Sequence, residues 1–256
     1  MGGGELVMAD RIILEEKSYK TVYREGNTIV KEFVPSHPKS DVFNEAYIHA
    51  CVEESGVSVP KILGIVPMDG GWALSMEYVE GTTLKEMIDM HPEQADALLE
   101  KLVDIQLEVG QHRVPRLRNT RYKMEEVINS LKEIDASTRY ELLQRIHGMK
   151  RHTKLCHGDF VPSNVIIRED GSYCILDWAH ATSGNAGAEA AITYLRLTLE
   201  KPELAEKYLH LFSQKADMAI QYIQTWMPIV AAVQLAKHRE AERETLERWI
   251  SVAEYQ

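Results

Sequence analysis

The stretch Leu155-Cys156-His157-Gly158-Asp159-Phe160-Val161-Pro162-Ser163-Asn164-Val165-Ile166-Ile167-Arg168-Glu169-Asp170-Gly171-Ser172-Tyr173-Cys174-Ile175-Leu176-Asp177-Trp178 decides the reading of this chain. It spaces His157, Asp159 and Asn164 as His-x-Asp-x-x-x-x-Asn. Two β-prone runs follow, 165–168 and 173–177. Glu169, Asp170, Gly171 and Ser172 lie between them, and Gly171 accepts the positive φ of a tight turn. A hairpin here returns Asp177 toward Asn164. An amide oxygen and a carboxylate oxygen are hard donors that suit magnesium. Asp159 is left as the carboxylate that meets an acceptor hydroxyl. His157 reads as a brace of the loop through hydrogen bonds.

That division of labour fits phosphoryl transfer. Its transition state is loose, so a protein mainly positions groups and stabilises charge. Any one of these residues taken alone is more often a cap, a turn or a packed side chain. Spacing and strand order together carry the assignment.

The 256 residues suffice for one large domain or two lobes with a sizeable core. A formal net charge of −10 speaks against a nucleic-acid binder, because no basic excess is available to neutralise phosphates. It is compatible with a cationic acceptor. Cys51, Cys156 and Cys174 are far apart and form no Cys-x-x-Cys pair, which suits a reducing cytoplasm and excludes a disulfide framework. No run approaches the ~18 apolar residues of a membrane span. The start, Met1-Gly2-Gly3-Gly4-Glu5-Leu6, lacks the basic and apolar regions of a secretory signal and the Ser or Thr of a myristoylation site. The expectation is a cytoplasmic protein without a membrane partner, monomer or homodimer.

Outside the central stretch the chain divides in two. Arg11–Leu14, Thr21–Arg24, Thr28–Phe33, Pro60–Pro67 and Trp72–Tyr78 read as strands. Asp41–Ser55 reads as a helix capped by Asp41, with Phe43, Tyr47, Ile48 and Cys51 on its inner face. From Gly81 onward the pattern is mainly helical. Thr83 with Glu86 makes a capping box, and Thr138 with Glu141 suggests another. Ala97, Leu98, Leu102, Ile105 and Val109 follow helical spacing, Pro202 starts a helix, and Pro228 interrupts or kinks one. Trp226, Tyr222 and Met227 read as core. The expected domains are a 1–76 sheet-and-helix lobe, a 77–81 hinge and an 82–256 helical lobe.

Lysine is depleted in strands, yet Lys31 sits between Val30 and Phe33 in one. The next helix carries Glu45. A strand lysine paired with a helix glutamate sets an ammonium against nucleotide phosphates. Segment 15–20 occupies the place of a phosphate-covering loop but contains no glycine. Contacts there fall to backbone amides, Ser18 or a lysine.

With these residues in place, the chain resembles the aminoglycoside phosphotransferase and choline kinase superfamily, small-molecule relatives of protein kinases. The resemblance spans nearly the whole chain. It implies an α+β, protein-kinase-like two-lobed fold with a small antiparallel sheet, one helix and a larger helical lobe. It implies ATP, with GTP as the alternative, and Mg2+. Lys31 and Glu45 match the phosphate-anchoring pair, and Met76-Glu77-Tyr78-Val79-Glu80-Gly81 the inter-lobe segment. There the carbonyl of Glu77 and the amide of Val79 meet the adenine edge. His157–Asn164 matches the catalytic loop, with Asp159 catalytic and Asn164 and Asp177 as metal ligands. The family's aspartate on the following helix is replaced by Glu189. No long activation segment follows Asp177.

The resulting expectation is an ATP-dependent O-phosphotransferase acting on a small hydroxyl compound, an aminoglycoside-type antibiotic or an amino alcohol. The alternative is a catalytically silent nucleotide-binding module of the same fold. A third reading groups His157, Asp159 and His180 as a non-haem iron triad. Glu240, Glu242, Glu244 and Glu247 offer negative charge for a cationic acceptor. Interleaved with Arg239, Arg243 and Arg248, they read more simply as a solvated helix face.

Overall fold

The computed structural model describes residues 11–251; the Gly2–Gly4 run lies outside them. The chain forms two compact units. One comprises the chain up to Gly81 with Ile166–Ala179, the other Thr82–Val165 with His180 onward.

The first unit holds a five-stranded antiparallel sheet in the order β1-β2-β3-β5-β4. Its strands are β1 (Arg11–Lys17), β2 (Lys20–Glu25), β3 (Thr28–Phe33), β4 (Ile62–Met68) and β5 (Gly71–Glu77), with helix α1 (Lys39–Glu53) between β3 and β4. The central strand is β3. Lys31 faces Val22 on one side and Leu74 on the other, so this lysine is interior to the sheet, not on an edge. α1 packs on β4 and β5 and buries Val42, Ala46, His49, Cys51 and Val52. This corrects the expected face, since Phe43 and Tyr47 are 42% and 49% exposed. Phe43 instead packs edge-on against Trp72 at the surface. Asp41 lies within the first turn, and Pro38 takes the cap position. The anticipated covering loop at 15–20 is mostly strand, with only a tight turn between β1 and β2.

The second unit begins with the short β6 (Thr82–Thr83) and α2 (Leu84–Met90), which starts with the expected Thr83–Glu86 capping box. Then come α3 (Ala95–Val109), α4 (Thr120–Ser130), α5 (Ala136–Gly148) and β7 (Lys154–Cys156). Asp135, not Thr138, caps α5: its carboxylate accepts from the Thr138 amide at 2.9 Å. The hairpin strands β8 (Val165–Ile167) and β9 (Tyr173–Ile175) come next in sequence but, from Ile166 on, belong to the first unit. Gly171 closes their turn at φ 80°. The rest is β10 (Thr182–Gly184), α6 (Ala186–Glu200), α7 (Pro202–Ala216), α8 (Ile220–Gln224), α9 (Met227–Leu235) and α10 (Arg243–Ser251). β10 pairs antiparallel with β7. Pro228 stands at the start of α9, where its missing N–H costs nothing, so it kinks no helix. Trp226 and Met227 are fully buried core.

A polar chain fastens this core. Tyr208 donates to Gln106 at 2.6 Å, Gln106 to Thr193 at 3.0 Å, and Thr193 to the Phe160 carbonyl at 2.9 Å. Buried polar groups persist only when paired. These pairs tie the loop after β7 to α3, α6 and α7. Among the described residues no helix is long and apolar enough to cross a membrane.

Candidate active site

Two constellations gather the sequence-predicted residues, one in each unit. In the first, β3 projects Lys31 from the sheet centre. Its ammonium donates to Glu45 Oε1 on α1 at 2.6 Å and to Asp177 Oδ1 at 2.8 Å. Burial alone would push this lysine's pKa down, but the carboxylates of Asp177 and Glu45 outweigh it and hold the pKa well above the ordinary value. The lysine is therefore a fixed cation.

Asp177 arrives by way of the hairpin. The Ile175 amide donates to the Ser58 carbonyl at 2.9 Å. Ile166, Cys174 and Val79 are buried together, with Leu176 packed against them. Asp177 itself has φ 57°. Among residues with a Cβ, aspartate is one of the few that tolerates this left-handed region. Its carboxylate remains about a third exposed.

Lys20 at the start of β2 is also buried, 6% exposed, with its ammonium 3.8 Å from Glu15. Burial and the charge of Lys31 lower its pKa. Within segment 15–20, Lys20 is the one buried residue. Glu77 ends β5 with its amide donating to the Lys61 carbonyl at 2.9 Å, and the Tyr78 amide donates to the Asn27 carbonyl at 2.9 Å. Val79 is buried against Ile166 and Cys174.

The second constellation is the loop after β7. Gly158 has φ 82°, and a Cβ there would stand 2.7 Å from the His180 carbonyl, so only glycine fits. His157 is fully buried and its Nδ1 accepts from the Asp159 amide at 3.2 Å, the bracing role expected of it. Asn164 donates its amide N–H to the Asp159 carbonyl at 2.9 Å. That fixes the amide so that Oδ1 is the atom left to accept or to ligate.

Glu189 on α6 supports the loop from behind. Its carboxylate accepts from the His157 amide at 2.9 Å and the Gly158 amide at 3.1 Å. Burial raises its pKa to about 7, against the lowering effect of those two hydrogen bonds. Glu189 thus supplies a carboxylate under the loop.

Arg196, about two helix turns beyond Glu189 on α6, went unrecognised in the sequence. Its Nε lies 3.0 Å from Asp159 Oδ1. The angle is too bent for a hydrogen bond, so the contact is one of charge. Glu200 and Glu242 complete its ring of carboxylates. The acidic segment near the C-terminus is largely paired with its own arginines: Glu242 with Arg239, Glu247 with Arg243 and Glu244 with Arg248.

Cys156 and Cys174 are held protonated by burial, Cys174 with its pKa pushed up to about 11. They offer no thiolate. Among the described residues no three His, Cys, Asp or Glu side chains gather as metal ligands, which disposes of the iron-triad grouping.

Comparison with known proteins bears on the same features. A family model described as "Phosphotransferase enzyme family" matches residues 14–220. No curated protein matches the chain in sequence. Among solved structures, a thermostable mutant of aminoglycoside phosphotransferase APH(4)-Ia in ternary complex with ADP and hygromycin B is similar, at 12% identity and TM-score 0.70, over 96% of this chain and 92% of that one. An aminoglycoside-3'-phosphotransferase of type VIII aligns at 15% identity and TM-score 0.64, covering 88% and 93%. ADP-bound APH(2'')-Ib aligns at 16% and 0.62, covering 97% and 93%. At such identities these structures share the fold.

Proposed function

The chain belongs to the phosphotransferase enzyme family, and on that premise we propose that it moves the γ-phosphoryl group of ATP to a hydroxyl of a small molecule. GTP is the alternative donor. The observation that carries this reading is the grip of Glu45 and Asp177 on the Lys31 ammonium. It places a permanent buried cation beside an exposed carboxylate, on a strand and a hairpin whose sequence separation is 146 residues.

In this proposal Lys31 binds the donor phosphates, and Glu45 holds it in place. Lys20 adds a second positive charge where a glycine-rich loop is missing. The Glu77 carbonyl and Val79 amide receive the adenine edge. Asn164 Oδ1 and the Asp177 carboxylate are the Mg2+ ligands. Both are hard oxygen donors, and the orientation of the Asn164 amide fits that duty. When bound, the cation neutralises charge on the transferring group. Asp159 accepts or orients the proton of the acceptor hydroxyl, and Arg196 holds its carboxylate in place.

The test is an acceptor screen with ATP and Mg2+, read by mass spectrometry, spanning aminoglycosides, amino alcohols, sugars and hydroxy acids. Transfer to at least one acceptor, lost in Asp159→Ala while ATP binding persists, is the expected result. ATP binding without transfer to any acceptor marks the silent module instead.

A further inference from the structure

A cavity of about 270 Å³ opens within the second unit, beside the Asp159 loop at Gly158. Its walls come from α4, α6 and α9. Met124, Val127, Ile192, Leu195, Val230 and Val233 make most of its surface apolar. The polar groups that line it are of one sign or neutral: Lys123, Lys237, Arg196, Gln234, His180 and two threonines, with no carboxylate among them.

The three cations differ in what already satisfies them. Arg196 is taken by Asp159 and Glu200. Lys123 donates to a neutral group, the His180 carbonyl, at 3.0 Å. The Lys237 ammonium makes no hydrogen bond or ion pair among the described residues; the carboxylates that act on it at longer range are Asp159 first and then Glu242. Lys123 is half-buried and Lys237 exposed, and both line the cavity. Desolvation by the surrounding protein atoms lowers the pKa of each, and Lys237 and Arg118 lower Lys123 further, to about 8. Glu189 acts on Lys123 only weakly. Two ammonium groups with no carboxylate in direct contact, over an apolar surface, repel an amine and attract an anion.

We propose that this cavity is the acceptor site and that it takes an anionic alcohol: an apolar body bearing a hydroxyl and a carboxylate or phosphate group. The hydroxyl lies toward Asp159 and the anion between Lys123 and Lys237. This rests on the phosphotransferase reading for the role of Asp159. It departs from the cationic acceptor with which the acidic net charge is compatible. Net charge describes the whole surface, while recognition is local to the cavity wall.

The test uses four probes on one carbon chain: hydroxyoctanoate, hydroxyoctyl phosphate, hydroxyoctanamide and aminooctanol. Calorimetry with the full chain measures binding, and mass spectrometry with ATP and Mg2+ measures transfer. At least one anionic probe should bind tenfold or more tighter than the amide, with the amine weakest. The carboxylate and phosphate arms identify which anion is preferred. Lys123→Met and Lys237→Met, checked for unchanged melting temperature, should each shrink that preference, and the double variant should erase it. Equal binding of acid and amide, tighter binding of the amine, or a preference that survives the double variant overturns the proposal. An intact preference with no phosphate transferred leaves the anion site standing and removes the phosphotransferase reading instead.

Discussion

Arg196 Nε stands 3.0 Å from Asp159 Oδ1, so the carboxylate proposed to meet the acceptor is held by a cation from α6. Arg196 is only 9% exposed. Removing it releases Asp159 and leaves Glu200 and Glu242 without their common partner. Arg196→Ala should lower kcat by ~10-fold or more, because small misplacements of a reacting group are costly. The KM for ATP should stay near its original value. Steady-state kinetics at varied ATP checks the split, and an unchanged kcat would detach Arg196 from Asp159's function.

Lys31 is hydrogen-bonded to both Glu45 and Asp177. Its raised pKa means the stabilisation is complete below the unfolded lysine value of 10.5 and is lost only as pH rises through the still higher folded value. Lys31→Ala should therefore cost about 3 kcal/mol at neutral pH, the usual penalty for orphaning a buried charge. It should also weaken nucleotide binding more than acceptor binding. Denaturant melts and separate titrations of the two ligands measure both.

Asp177 calls for a substitution that respects its backbone. At φ 57°, alanine adds strain, whereas asparagine tolerates the left-handed region. Asp177→Asn should keep the fold and weaken Mg2+-dependent nucleotide affinity by roughly tenfold, the weight of about 1.4 kcal/mol. A titration with and without Mg2+ isolates the effect; identical Mg2+ dependence in both proteins would end the metal-ligand role.

Glu189 gives the loop a pH signature. Its folded pKa of about 7 lies above its ordinary 4.5. Between those values the folded protein keeps a proton that the unfolded chain has released, so the contribution of this group to stability falls as pH rises across that window. Glu189→Gln should flatten that part of the stability–pH curve. Glu189→Ala should destabilise at every pH by ~1–3 kcal/mol, since the buried amides of His157 and Gly158 lose their acceptor. Thermal melts from pH 4 to pH 8 distinguish the two variants.

Much of the architecture was legible in local patterns. Short β-prone runs bounded by turn residues marked all five strands, and the Thr83–Glu86 box marked the start of α2, because such signals act over a few residues. The inner face of α1 was misread because Phe43 and Tyr47 are large and apolar. The helix instead buries the smaller Val42, Ala46 and Cys51, which let it lie close to β4 and β5. Thr138 was taken for a cap because Glu141 follows it at capping-box spacing, whereas Asp135, three residues earlier, offers the same chemistry and takes the position.

The order of residues by itself specified the hairpin, the glycine turn and the spacing of Asp159, Asn164 and Asp177. These depend on φ preferences and strand period, both properties of neighbours in the chain. Tertiary structure alone decided that Arg196 reaches Asp159, that Tyr208, Gln106 and Thr193 anchor Phe160, and that Lys123 and Lys237 share one apolar cavity. Those relations join side chains from separate helices. Coulomb forces and desolvation depend on distance through space, and only packing sets that distance.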